Sequence, residues 1–127
     1  MKHRILSLIL LTGLAFTLGA CTHVREATSD AVAWVRDALQ TTVDAPLERT
    51  VKATTSALKT LQFSSITTRA DAISGIITAK TARDENITIT ITSLTPVQTR
   101  LDIRVGAFGD RPVSQRILTE IQQHLRK

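Results

Sequence analysis

The side chains able to do chemistry are few in this sequence and widely spaced. Cys21 is the only cysteine. A lone thiol cannot close an internal disulfide, so Cys21 needs another explanation. His3 lies near the start, and His23 and His124 are far apart in the chain. No His/Cys/Asp/Glu group has the spacing of metal ligands, and neither a Gly-x-Ser-x-Gly elbow nor a phosphate-binding Gly-rich loop occurs. Asp84-Glu85 is a carboxylate pair, but it falls in 81–85, a stretch that reads as a hairpin tip, where solvated charge is the expected state. The outward row Thr88, Thr90, Thr92 is either a regular binding face or the wet side of a sheet, and the latter is expected. The expectation is a protein without catalytic residues, cofactor or metal.

Cys21 gains meaning from what precedes it. Met1-Lys2-His3-Arg4 is basic, and Ile5 to Ala20 is a run of 16 residues without charge. Such a run is short of the ~20 residues a spanning helix needs and suits the apolar part of a secretory leader. It ends in Leu18-Gly19-Ala20-Cys21, which resembles the lipobox of bacterial lipoproteins. That resemblance implies a diacylglycerol thioether on Cys21, cleavage just before it, and acylation of the new amine. Residues 1–20 are then a signal peptide, 21–36 the lipidated cysteine and a tether, and 37–127 the globular domain. The competing reading is an ordinary signal peptide, or an uncleaved anchor, that happens to contain a cysteine. One acyl chain binds a bilayer only reversibly, whereas two or three hold a small domain permanently, at about 0.8 kcal/mol per buried methylene. Thr22, not Asp, follows the cysteine. By the same resemblance this points to the outer membrane, facing the periplasm, in a host with two membranes. Asn86-Ile87-Thr88 is a formal glycosylation sequon and is discounted for a bacterial protein.

A second group deserving a chemical reading is Gly106-Ala107-Phe108-Gly109-Asp110 with Arg104 and Arg111 beside it. In a functional reading, the free N–H groups of the following helix and the two arginines bind an anion. In a structural reading, Gly106 and Gly109 allow backbone angles closed to other residues, Phe108 plugs the edge of the core, and Asp110 caps the helix. The structural reading is preferred, because Asp110 would occupy the N–H groups an anion needs and would repel it.

The elements that must position these residues follow from apolar spacing. Ser29 or Asp30 would cap a short helix over Ala31, Trp34, Val35 and Ala38. Trp34 would cover the edge of the core or sit at the level of lipid headgroups. A strand is expected near 39–44. Pro46 then opens a helix whose Leu47, Val51, Thr54, Leu58 and Leu61 form one apolar stripe, packed on the domain's own sheet rather than on a partner. From Phe63 the period becomes two, giving strands over 65–69, 73–80 and 86–92 and a last one through Leu101, Ile103 and Val105. Gly75 marks a bulge or close packing. A final helix buries Val113, Ile117, Ile121 and Leu125. The order β-α-β-β-β-β-α predicts an α+β fold, a single antiparallel sheet of about five strands with both helices on one face.

Composition agrees with a small exported domain. Hydrophobic residues are 43% and charged residues 21% of 127, near globular averages, so wholesale disorder and a polytopic membrane protein are both excluded. The net charge of +5 would fall to +3 with the loss of Lys2 and Arg4. The basic residues are scattered, with no tyrosine and one tryptophan among them, so no nucleic-acid partner is expected.

The chain as a whole resembles a family of small bacterial lipoproteins of unknown function. The resemblance rests on the lipobox, on Ile103-Arg104-Val105-Gly106-Ala107-Phe108-Gly109-Asp110 followed by Ser114-Gln115-Arg116-Ile117-Leu118, and on Asp71-Ala72-Ile73-Ser74-Gly75 leading into Thr78-Ala79-Lys80. It implies an exported, lipid-anchored α+β domain and supplies no activity. The leading expectation is a non-catalytic envelope module, held to the membrane through Cys21 and contacting an envelope protein or peptidoglycan. The alternative is a periplasmic small-ligand or lipid carrier with a cavity between sheet and helices, lined by Leu58, Ile89, Ile103 and Ile117. No oligomeric state is specified.

Overall fold

Apolar-polar alternation over 38–43, 74–80, 86–92 and 98–105 builds a sheet with one dry and one wet face. The computed structural model describes residues 32–127. The elements are β1 (Ala33–Val35), β2 (Ala38–Val43), α1 (Leu47–Thr60), β3 (Ser64–Ala70), β4 (Ser74–Lys80), β5 (Asn86–Thr95), β6 (Gln98–Val105) and α2 (Arg111–Arg126). All strand pairs are antiparallel, and the sheet runs β1-β2-β6-β5-β4-β3. The α+β architecture is as expected, with six strands in place of about five. No described helix is long and apolar enough to cross a membrane.

The register explains the core. Ile89 pairs with Ile103 on one side and Ile77 on the other, while Ile87 faces Val105 and Ile91 faces Leu101. All seven side chains are buried. Because side chains alternate across a strand, this register places Thr88, Thr90, Thr92, Arg100, Asp102 and Arg104 on the opposite face. There Gln40 Nε2 donates to Asp102 Oδ1 at 2.6 Å, and Arg100 Nε lies 3.5 Å from Asp102 Oδ2.

Both helices cover the apolar face. α1 lies over β3, β4, β5 and β6, and α2 over β2 and β6. Pro46 stands at the N-cap of α1 rather than inside its first turn, with φ −64°. Of the expected stripe, Thr54 and Leu58 are buried, while Leu47, Val51 and Leu61 are half-buried. The burial has rotated toward Thr50, Ala53 and Ala57, because α2 covers that flank. Arg49 donates to the Leu125 carbonyl and Thr60 meets His124 at 3.1 Å, and these two residues continue the row through Ala53 and Ala57. Gly75 reflects close packing and not a bulge: a Cβ there would lie 3.2 Å from Val51 Cγ2.

The expectation for the start of the domain fails. Of the short helix expected over Ala31, Trp34, Val35 and Ala38, Ala31 lies outside the described residues, and the others form a hairpin in which Trp34 pairs with Leu39 and Val35 with Ala38. Its two-residue turn is Arg36-Asp37, with φ of 48° and 62°. Positive φ at both positions suits the twist of a tight hairpin, although Asn-Gly is the usual sequence for it. Pairing also gives the outer edge of β2 a partner for its backbone groups, which a detached helix would not do. The sheet therefore starts at Ala33, inside the stretch assigned to the tether.

Candidate functional site

The β6–α2 loop, residues 106–110, gathers the sequence motif at one end of the sheet. Gly106 and Gly109 have φ of 70° and 74°, the left-handed region that glycine enters freely. The two are not equivalent. A Cβ on Gly106 would find Glu85 Oε1 at 3.6 Å, an ordinary contact. One on Gly109 would collide with the Asp37 carbonyl oxygen and lie 2.7 Å from Trp34 Cζ2. Gly109 is thus the point where the loop rests directly on the β1–β2 hairpin.

Side-chain bonds fix the rest of the loop. Arg104 Nη2 donates to the Ala107 carbonyl at 2.8 Å. Asp110 stands at the N-cap of α2, and its Oδ1 accepts from the Val113 N–H at 3.1 Å. The Arg111 guanidinium sits 4.9 Å from the centroid of the Trp34 ring, a cation–π contact that joins the start of α2 to β1. A cleft of about 450 Å³ runs along the loop, lined by Glu85 and residues 105–112.

These bonds commit the groups an anion would need. Pro112 has no N–H, the Val113 N–H goes to the Asp110 side chain, and the Ser114 N–H goes to the Asp110 carbonyl at 2.9 Å. Arg104 and Arg111 are engaged as well. The arrangement holds the loop in one shape and commits the Val113 and Ser114 N–H groups and one Arg104 nitrogen in doing so. Phe108 departs from expectation: it does not plug the core edge but stands 87% exposed at the loop tip. The left-handed turns at Gly106 and Gly109 carry the chain out and back, and Trp34 covers the core edge instead.

The other candidates are dispersed. Asp84 pairs with Lys80 at 2.8 Å on the β4–β5 turn, and the neighbouring Glu85 points to the cleft. His124 meets Glu120 at 3.3 Å on α2. Among the described residues no group of three or more His, Cys, Asp or Glu side chains could hold a metal ion. Leu58, Ile89, Ile103 and Ile117 are fully buried in one packed cluster. Cys21, the leader over 1–20 and the tether residues through 31 lie outside the described residues. Sequence reasoning missed the roles of Asp37 and of the Trp34–Arg111 pair. Both depend on the hairpin, and Arg36-Asp37 gives no turn signal of the usual kind.

A family model described as a protein of unknown function, DUF3568, matches residues 4–124. Among curated proteins none matches. With nearly its whole length inside that match, the chain belongs to the DUF3568 family of proteins of unknown function.

Proposed function

We propose that this protein is a non-catalytic lipoprotein of the bacterial envelope, tethered through Cys21 and acting as an interaction or structural module. The observation that carries the reading is the position of its only cysteine. Cys21 follows Leu18-Gly19-Ala20 at the end of a basic start and an uncharged run. Lipid on that sulfur and on the new amine would hold the domain on the bilayer. Thr22 favours the outer membrane, facing the periplasm. The wet sheet face with Thr88, Thr90 and Thr92 supports contact with an envelope protein or peptidoglycan. A carrier would need space among Leu58, Ile89, Ile103 and Ile117, where the side chains are packed.

The test is replacement of Cys21 by Ala, followed by labelling with a radioactive fatty acid and by membrane fractionation. Wild type should carry label and sediment with membranes. Cys21→Ala should lose the label and retain an uncleaved leader. Equal labelling of the two proteins would overturn the reading. In-cell crosslinking from the Thr90 face should then trap an envelope partner.

A further inference from the structure

We propose that the end of the sheet formed by the β3–β4 turn, the β5–β6 turn and the start of α1 rests on the membrane that carries Cys21. Its exposed apolar side chains sit among the headgroups, and its carboxylates meet phosphatidylethanolamine ammonium groups. This inference rests on the lipid-anchor reading.

Three observations carry it. The first is the direction of the chain. Ala33 pairs with Gln40 and Val35 with Ala38, and β2 continues from Gln40 to Val43, which pairs with Thr99 at the start of β6. β1 thus runs away from the end that holds the β5–β6 turn, and the chain reaches Ala33 from that side. Cys21 and Val32 are 11 positions apart, a reach of at most about 40 Å, so a bilayer holding the cysteine meets this end first. The second is apolar exposure. Ile73 is 70% and Val97 66% exposed, and Leu94 is exposed beside them. Ser93 N–H donates to the Ile73 carbonyl at 2.9 Å, which sets the two turns side by side. Behind these tips a cleft of about 500 Å³ continues the apolar surface over Leu47, Val51 and Pro96. The third is charge. Residues 43–48, 70–74 and 93–99 form this end; they hold the exposed carboxylates Asp44, Glu48 and Asp71, and no lysine or arginine. Hydrogen bonds keep two of these in place: Asp44 accepts from Gln98 Nε2 at 3.0 Å, and Asp71 from the N–H groups of Ile73 and Ser74. Phosphatidylethanolamine carries its ammonium outside its phosphate, where a carboxylate rim meets it while apolar tips reach deeper. The attraction is short-ranged in salt. Anionic headgroups, by contrast, repel the same rim.

Three apolar side chains bind a bilayer weakly on their own. A short tether makes insertion intramolecular, at an effective concentration on the order of millimolar, so weak insertion suffices. Phe108 and Val35 are exposed at the other end of the sheet, but β1 runs toward that end, so the anchored chain does not arrive from there. With the two turns on the membrane the strands stand away from it, and the face with Thr88, Thr90 and Thr92 stays open to a partner.

The experiment uses the mature lipidated protein, its acylation checked by mass, in vesicles of phosphatidylethanolamine with a minor share of phosphatidylglycerol. Once lipid occupies Cys21, Ala72→Cys introduces a single free thiol beside an intact Ile73, and Ala107→Cys places one at the other end. A nitroxide on each reports collisions with a neutral, water-soluble nickel complex. Docking predicts roughly tenfold fewer collisions at 72 than at 107, as for a group ~5–10 Å below the interface. Ile73→Asp with Val97→Asp, both at exposed positions, should restore access at 72, whereas Phe108→Asp should leave it unchanged. Raising the share of phosphatidylglycerol should also restore access, and access that stays low overturns the ammonium contact. Equal nickel access at both sites, with the protein floating on the vesicles, overturns docking and leaves the anchor standing. Shielding at 72 in the Cys21→Ser chain, made without residues 1–20 and kept free of vesicles, means that the chain's own residues 22–31 cover the turns. Spin–spin broadening means that a second copy does; either overturns docking. Preferential shielding at 107 reverses the orientation and overturns it too. Failure of the acylated protein to float removes the anchor reading and the docking with it.

Discussion

Gly106 and Gly109 share a backbone conformation and differ in what surrounds them. Replacing Gly106 by Ala meets only the cost of a left-handed residue, about 1–2 kcal/mol, because the added Cβ makes no more than an ordinary contact with Glu85. Replacing Gly109 adds a collision with the Asp37 backbone and the Trp34 ring, and should cost on the order of 3 kcal/mol or more. Urea unfolding of the two variants measures the difference, and equal losses would contradict the seating of the loop on the hairpin. Asp110→Ala removes the oxygen that accepts from Val113 N–H and should lower stability by about 1 kcal/mol, read as a fall in the urea midpoint. An unchanged midpoint would deny the cap. The need for glycines and the capping Asp110 were legible in the sequence, since both follow from local backbone chemistry. The fate of Phe108 was not. Its type is apolar, but the outward path of the loop depends on a hairpin about 70 residues earlier, as only the folded register can tell.

Turns decide which elements pair, and the β3–β4 turn shows how one side chain closes a turn. Asp71 Oδ1 accepts from the N–H groups of Ile73 and Ser74, each at 2.9 Å, and Asp71 N–H donates to the Ser74 carbonyl at 2.9 Å. The bond from Ile73 N–H, then that from Ser74 N–H, holds the Asp71 carboxyl below its ordinary value. A carboxyl with a lowered folded pKa contributes stability that is complete above the unfolded value. That contribution fades as pH falls through the folded value. The stability gap between wild type and Asp71→Ala should therefore be full at neutral pH and shrink below the ordinary 3.8. An NMR titration of the Asp71 carboxyl should show its midpoint below 3.8, and a midpoint at or above it would contradict the turn geometry. Asp71 here, the 81–85 stretch and Pro96 all fall between strands, as their residue types suggest. The Arg36-Asp37 turn has an Asp but neither the Gly nor the Asn usual where φ is positive, so the sequence reads as a helix where β1 forms.

Over the whole molecule, alternation made the sheet legible while the packing of the two helices was not. The isoleucines of β5 could be assigned to one face from sequence because a single slip would turn all of them outward. Which flank of α1 is covered depends on where α2 crosses it, and that angle has no local signature. The consequence for function lies in the difference between the two faces. Ile89 is fully buried between Ile77 and Ile103, whereas Ile76, on the opposite face of β4, is 48% exposed. Ile89→Ala should cost about 2–5 kcal/mol, because a rigid interior fills the lost volume poorly. Ile76→Ala should cost less than about 1 kcal/mol, chiefly through lower strand preference. Chemical denaturation of both variants compares them directly. A small loss at Ile89 would mean that the interior yields and can open a cavity, as a carrier of apolar ligands requires. A large loss, with the wet face tolerant of change, is the behaviour of a module that meets its partners from the outside.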